Sequence, residues 1–428
     1  MNSFKNVIES AVIKLANRSV YKFSILLMFC ACSISQEEAS PKKDIRESVY
    51  AMMKDWYLFY DKVPIVNPLH FADTTIVEAL KYKPADKWSF IKRDNGELAR
   101  EIANSTEEGS IGAYIVEQEK YARVIAVIKG SPADNVGLKR GDSVVFIRPT
   151  ASAVTLEWFD AQKRFKSATI PKQTVVINPV LHTQVFDTLS TKIGYWVFFS
   201  FPDTTKFSYI EESFQIFRQA GITKLIIDLR YNGGGFLRTM EFVANLLAPF
   251  SARGKLMYSI LMNDRYSKAR KDCYFSTSSD GLPFLSEIVF ITSSFTASSS
   301  DMLINILKPY IRITTVGQTT VGKYLSYPIF EHLGYTIGLI NAKCVNSLGE
   351  PVSFEGITGW QPIIAARDGI EFDWGDVRDE MLQAAFRVIA SQVVSMQWSR
   401  RESMNFTSYR FVLENLFDKG IITDIQER

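Results

Sequence analysis

A chain of 428 residues is too long for one small core, so two or three folded units are expected. With 46% apolar and 13% aromatic residues, the composition is that of a globular protein and excludes long disorder. The net charge of +3, with Lys and Arg scattered along the chain, excludes a basic field for nucleic acid.

At the N-terminus, Lys14, Arg18 and Lys22 precede the apolar run Phe23 to Ala31. That run is too short to cross a bilayer as a helix, and the order basic then apolar is a secretory signal pattern. It ends in Phe29-Cys30-Ala31-Cys32 and passes into Ser33-Ile34-Ser35-Gln36-Glu37-Glu38. A small residue before a cysteine, then an acidic stretch, resembles a bacterial lipoprotein cleavage site. The resemblance implies that residues 1–31 are removed and that Cys32 carries lipid. A plain cleaved signal is the alternative. After removal, Cys273 and Cys344 are the one pair a disulfide could join. His70, His182 and His332 stand at no ligand-like spacing, so no metal site and no cofactor are expected.

Glu37 to Lys43 reads as a polar tether. Ile45 to Tyr60 has Ile45, Val49, Met52, Met53, Trp56, Phe59 and Tyr60 at helical spacing, with Pro64 and Pro68 to stop the helix. A second helix is expected over Ile76 to Leu80. Ser110 to Val116 and Arg123 to Ile128 read as strands, followed by a short helix from Pro132 that Gly137 ends. Gly141-Asp142 makes a tight turn into a strand from Ser143 to Ile147. The run Ser131-Pro132-Ala133 … Gly137-Leu138 … Gly141-Asp142 resembles a PDZ domain. The resemblance implies capture of an extended C-terminal peptide by strand addition, with Ser110, Ile111, Gly112 and Ala113 as the peptide-binding loop.

From about residue 192 the pattern alternates. Strands are expected at Gly194–Phe199, Lys224–Leu229, Glu287–Thr292 and Ile311–Val316, and helices at Tyr209–Ala220, Leu237–Leu247 and Ala297–Leu307. Such alternation predicts a largely parallel α/β core with its site at the strand C-terminal ends.

Three segments follow such ends. Asp228-Leu229-Arg230-Tyr231-Asn232-Gly233-Gly234-Gly235 offers glycines that let main-chain N–H groups approach a substrate oxygen. Thr292 to Asp301 passes serines into a helix, where a hydroxyl meets unpaired N–H donors. Gly317-Gln318-Thr319-Thr320-Val321-Gly322-Lys323 fits the phosphate-loop pattern G-x-x-x-x-G-K, a rival reading. Against that rival, Tyr324 and Leu325 stand where a magnesium-binding Ser or Thr is needed, and Pro328 comes too early for the required helix. A serine hydrolase with a lysine base uses all three segments. A serine hydroxyl needs a neighbour to take its proton, and Lys323, set among glycine and apolar residues, suits that task through burial. A conventional triad would call on His332, whose surroundings read as a hairpin turn.

Together these motifs resemble the C-terminal processing, or tail-specific, peptidases. In that family the first serine of "T-A-S-x-S-E" is the nucleophile and the base lies 25 residues on, in "G-K". Here the segment is Thr296-Ala297-Ser298-Ser299-Ser300-Asp301, and 298 + 25 falls on Lys323. The family element "D-L-R-x-N-x-G-G" matches Asp228 to Gly235, and the closing "G-D-x-x-D-x-x-L-x-x-A" matches Gly375-Asp376, Asp379, Leu382 and Ala385. Trp56-Tyr57-Leu58 and Asp86-Lys87-Trp88-Ser89 look like the helical cap of Bacteroidetes-type members.

The resemblance implies an α/β fold: a ClpP/crotonase-like catalytic core, a PDZ-like β domain and an N-terminal helical cap. It implies catalysis by Ser298 and Lys323, with Gly234 and Ser299 as oxyanion donors. The departures are Asp301 in place of glutamate, and Tyr327 where some members place a glutamine that orients the lysine. Tyr327 or Ser326 is the candidate third member, through a hydroxyl. The expected divisions are a signal at 1–31, a tether and helical unit at 32–105, and a PDZ-like unit at 106–184. A protease core at 185–395 and a helical tail at 396–428 complete them, with Phe406 to Phe417 as the tail helix. Expected partners are protein or peptide substrates with apolar C-termini, no nucleic acid, and a membrane reached through the lipid. The expected location is the cell envelope, facing the periplasm, with homo-oligomerisation left open. The alternative class is a non-catalytic peptide-binding protein on the same fold.

Overall fold

The computed structural model describes residues 44–117, 122–188, 191–278, 280–282, 284–323, 325–326, 328–357, 363–364, 366–391 and 410–411. The expected signal, the expected lipid site Cys32 and the third-member candidate Tyr327 lie outside these residues. Among the described residues, no helix is long and apolar enough to cross a membrane.

A six-stranded sheet organises the fold. Its strands lie in the order Ile363–Ile364, Arg312–Gly317, Glu287–Thr292, Lys224–Asp228, Thr191–Phe198 and Val180–Thr188. All neighbours run parallel except the last pair, which is antiparallel. Alternate side chains feed opposite faces, as the two-residue period of a strand requires. Trp196, Phe198, Leu225, Ile227, Ile288 and Phe290 enter one core, covered by helices Phe207–Ala220, Leu237–Leu247 and Ser299–Leu307. Ile193, Tyr195, Val197, Ile226, Val289 and Ile291 enter the other, covered by helix Glu380–Ser391. Because both faces are covered, Glu287–Thr292 is buried at every position and its sequence shows no alternation.

The helices form where the sequence supports them locally. In Phe207–Ala220, Ile210, Phe214 and Phe217 make one buried stripe, and Gly221 at φ 68° ends the helix by returning its N–H to Phe217 and Arg218 carbonyls. Each such side chain, fully buried, contributes about 1.5–3 kcal/mol. Ser299–Leu307 differs: all nine residues are buried, so it runs through the interior.

Residues 44–93 pack helices Ile45–Asp55 and Ile76–Leu80 against a small sheet of Phe90–Arg93, Tyr335–Gly338 and Ile329–His332. The first helix stops at Asp55 rather than Tyr60. Trp56 caps it with its N–H on the Met52 carbonyl, and Leu58 turns away to donate to the Ile340 carbonyl. A four-stranded antiparallel sheet joins Lys271–Tyr274, Leu256–Met262, Ala342–Asn346 and Leu325–Ser326. Cys273 and Cys344 lie on the two strands flanking Leu256–Met262. Two strand spacings, about 9–10 Å, separate them, beyond the reach of a disulfide. Both are buried and not bonded to each other.

A β-rich unit carries Ala113–Glu117, Ala122–Val127, Ser143–Pro149, Ala153–Phe159 and Phe165–Pro171 in one sheet around Ile111, Val124, Leu138, Leu156, Trp158 and Ile170. The expected strand from Ser110 breaks at Ile111-Gly112, where Gly112 turns at φ 75° and a Cβ would lie 2.2 Å from the Ser131 Cβ. The unit also ends earlier than residue 184. Val180–Thr188 belongs to the central sheet, because its apolar pattern cannot say which sheet it joins. In the tail, Arg410–Phe411 is a strand rather than part of a helix, and it pairs with Ala113–Glu117.

Candidate active site

Lys224–Asp228, Glu287–Thr292 and Arg312–Gly317 are adjacent and parallel, so the segments leaving their C-terminal ends meet at one edge. These are the glycine segment to Gly235, the serine segment to Ser298 and the loop to Lys323. The structure therefore brings together the residues that the sequence selected separately.

Asn232 is the pivot of this meeting. Its Nδ2 donates to the Phe198 carbonyl at 2.9 Å, and its carbonyl accepts from the Ala297 N–H and the Ser300 hydroxyl, both at 3.1 Å. The Ser299 hydroxyl donates to the Gly235 carbonyl at 2.7 Å. The lysine loop is tied in turn: Gln318 N–H donates to Thr292 at 3.0 Å, and Val321 N–H to Thr296 at 2.8 Å. Gly235 has to be glycine, since a Cβ there would sit 2.1 Å from the Phe201 carbonyl oxygen. In the sequence, the signal for this pivot is the asparagine that precedes the three glycines.

Ser298 stands immediately before helix Ser299–Leu307 with φ 51° and ψ −112°, on the side of the backbone map that a side chain disfavours. Strain of this kind costs on the order of 1–3 kcal/mol and persists only where surrounding bonds hold it. A sharp strand-to-helix turn of this form sets a hydroxyl beside first-turn N–H groups that have no acceptor within the helix. The adjacent Ser299 and Ser300 have their hydroxyls on carbonyls, whereas the Ser298 side chain accepts the Asp301 N–H at the helix entry.

Asp301 joins the serine and lysine segments. Its Oδ2 accepts the Ser298 N–H at 2.9 Å and the Lys323 N–H at 3.1 Å. Ser298, Asp301 and Lys323 are each 0% exposed. Burial raises the Asp301 carboxyl to about 7, against the pull of the Thr320 hydroxyl and the N–H groups of Lys323, Ser298 and Gly322. With the folded value above the unfolded 3.8, its contribution to stability is full below about pH 4 and is lost as pH rises to about 7. Asp301→Asn removes this titration. Its stability relative to wild type is expected to improve between pH 4.5 and 7.5, by about 3 kcal/mol. Urea midpoints at several pH values measure this, and parallel profiles for the two proteins would contradict it.

Gly322 turns at φ 79°, and a Cβ would lie 2.2 Å from Gly356 N and 2.3 Å from Ser353 O. The glycine thus permits a close pass of the 353–356 loop. Leu325–Ser326 pairs as a strand with Lys343 and Ala342, so no helix follows the lysine and the phosphate-loop reading fails. His332 lies opposite Tyr335 in the expected hairpin, whose Leu333 and Gly334 both have positive φ.

The oxyanion candidates differ. Ser299 opens the helix, two residues after the expected start at Ala297. The Gly234 N–H donates to Asn232 Oδ1 at 2.9 Å, so it reaches a substrate oxygen only by sharing or releasing that bond. In the β-rich unit, Ser110 to Ala113 lead into strand Ala113–Glu117. The Gly112 N–H donates to the Ser110 hydroxyl at 2.9 Å, and the Ile111 and Gly112 carbonyls accept from Ala133 and Ile128.

The Asp228 segment also carries a buried ion cluster. Arg230 forks onto Asp228 through Nε at 3.0 Å and Nη2 at 2.7 Å. Its Nη1 reaches Asp379 at 2.9 Å and Asp368 at 3.0 Å. Arg140, from the β-rich unit, donates to Asp368 at 2.6 Å and to the Tyr231 hydroxyl at 3.2 Å. Burial alone would raise the Asp368 and Asp379 carboxyls, but the two guanidiniums hold both below the usual range. The cluster joins the β-rich unit, the glycine segment and the helix at Glu380–Ser391.

The sequence matches peptidase family S41 over residues 192–358 and the peptidase S41 N-terminal domain over 44–90. It is 25% identical over 303 residues to the carboxyl-terminal-processing protease of Picosynechococcus sp. (strain ATCC 27264 / PCC 7002 / PR-6), covering 65% of this chain and 70% of that protein. It is 23% identical over 288 residues to the carboxy-terminal processing protease CtpA of Bacillus subtilis (strain 168), covering 63% of this chain and 59% of CtpA. Among solved structures, an S41 protease from Bacteroides fragilis NCTC 9343 superposes with a TM-score of 0.66 at 20% identity. The overlap covers 84% of this chain and 100% of that one, a likeness of fold.

Proposed function

Since the chain belongs to peptidase family S41, whose members are serine-type hydrolases, we propose that it cuts polypeptides near their C-termini with a Ser298–Lys323 dyad. The observation that carries this is the meeting of three parallel strand ends, with Ser298 strained at the helix entry and Asp301 linking its main chain to that of Lys323. Ser298 Oγ attacks the scissile carbonyl carbon while the neutral Lys323 amine takes its proton. Enclosure away from water works toward a neutral amine. The tetrahedral oxyanion is met by the Ser299 N–H at the helix N-terminus, with the Gly234 N–H joining once it leaves Asn232. Lys323 then returns the proton to the leaving amine, and water repeats the sequence on the acyl-enzyme.

The β-rich unit acts as a PDZ-like module in this reading, and the core as a ClpP/crotonase-like domain. Support comes from the Ser131 to Asp142 motif, whose Ser131 caps the short helix Pro132–Asn135. The envelope location and the lipid on Cys32 belong to the same proposal and rest on residues 14–38.

Ser298→Ala tests the assignment. Turnover of an unfolded polypeptide with an apolar C-terminus is expected to fall by about three orders of magnitude. A phosphonate probe should label wild type at Ser298 and leave the variant unlabelled. Full activity in the variant would sink the dyad; peptide binding without turnover in wild type would favour the non-catalytic reading.

A further inference from the structure

The chain's own tail lies on the edge strand of the β-rich unit. Arg410–Phe411 pairs antiparallel with Ala113–Glu117, Arg410 opposite Glu117 and Phe411 opposite Val116. On its other side Ala113–Glu117 pairs with Ala122–Val127, so without the tail it would be the outermost strand of its sheet. An outermost strand offers a row of main-chain donors and acceptors to any extended polypeptide. From Arg410 to Phe411 the chain runs toward Ala113 and the turn at Ile111-Gly112. That is the direction in which a peptide would approach the Ser110 to Ala113 loop with its C-terminus leading.

We propose that residues 410–411 act as an internal competitor, holding closed the strand edge at which a substrate's C-terminal segment docks. The substrate part of this rests on the PDZ-like reading above, whereas the docking of the tail rests on strand pairing alone. The strand is well placed to matter to the core. Tyr114, in its middle, packs on Phe199 with ring centroids 4.9 Å apart, one residue from the Phe198 carbonyl that anchors Asn232. In sequence, residues 392–409 lie between helix Glu380–Ser391 and the docked strand. Tail and edge belong to one chain, so their pairing is intramolecular and a substrate must displace it. A tail docked about 90% of the time weakens apparent peptide affinity about tenfold.

The test uses the full chain carrying both Arg410→Pro and Phe411→Pro, so that whichever of the two N–H groups faces the ladder is removed, and a second protein ending at residue 395. Hydrogen–deuterium exchange at residues 113–117 is expected to accelerate in both. Affinity for a fluorescent peptide with an apolar C-terminus is expected to rise about tenfold. A synthetic peptide of residues 404–417, added to the shortened protein, should restore slow exchange and compete with the fluorescent peptide. Unchanged exchange at 113–117 in both proteins overturns the docking, whatever the enzyme does. Faster exchange with no gain in peptide affinity overturns the competition. Protection that fades on dilution would assign the strand to a second copy and overturn the internal form. A protein that shows the expected exchange and competition but no turnover would count against the dyad and leave this inference standing.

Discussion

Lys323→Met is expected to lower kcat/KM on a polypeptide substrate by about a thousandfold, within the roughly 10²–10⁴ that a positioned general base contributes. Methionine keeps an unbranched chain of similar length in a site with 0% exposure, so packing is largely retained while the amine is lost. The thermal midpoint should therefore move by only a few degrees, and affinity for a C-terminal peptide should stay within about twofold. The separation matters because Lys323 is as enclosed as any core residue, and a larger truncation would confuse lost catalysis with a collapsed loop. Loss of rate without loss of affinity points to a group acting on the reacting proton. A rate within tenfold of wild type would remove Lys323 from the mechanism, and a joint collapse of stability and rate would make its role one of packing.

Arg230→Met is expected to produce the largest loss of stability, about 3–5 kcal/mol at pH 7. The cause is what the substitution leaves behind. Asp228 loses both arms of its fork, Asp379 loses its bond at 2.9 Å, and Asp368 loses one of its two guanidinium partners, keeping Arg140. Three enclosed carboxylates then face one guanidinium. The pH dependence carries a definite sign. Folded values of Asp368 and Asp379 lie below the unfolded 3.8, so the stability they supply is present above about pH 4 and lost as pH falls further. In the variant, protonation relieves the unpaired carboxylates instead. The gap between the two proteins should thus be widest near neutrality and narrow below pH 4. Urea unfolding at pH 7, 5 and 3.5 measures it. A gap under about 1 kcal/mol at pH 7, or one constant across the series, would mean that the cluster is better solvated than its burial implies.

Where the sequence was readable, it was readable locally. Helix Leu237–Leu247 and strand Glu287–Thr292 appear at the limits expected, because each has its own periodicity and its own bounding residues. The hairpin at His332 was visible from its glycine. Errors fall where a partner elsewhere decides. The first helix ends five residues early because Leu58 bonds to Ile340, and Val180–Thr188 joins the central sheet because Thr191–Phe198 offers it an edge. An apolar stripe over residues 406–417 suggests a helix, yet Arg410–Phe411 is a strand because an edge was available. Local propensity is a weak prior against such pairing.

The site shows the same division. Sequence alone supplied the residues of the proposed chemistry: a serine and a lysine separated by 25 residues, and a glycine segment after Asp228. Those residue types act through covalent and acid–base properties that do not depend on the fold. Tertiary structure decided how they are held. Only the order of three parallel strands places the segments at one edge, and only there can a single carboxylate, Asp301, bond the main chain of both Ser298 and Lys323. The cluster of Arg140, Arg230, Asp368 and Asp379 is equally invisible in one dimension. Its members stand up to 239 residues apart (379 − 140), and their value as a cluster arises from shared burial, which the pattern of neighbours along a chain does not encode.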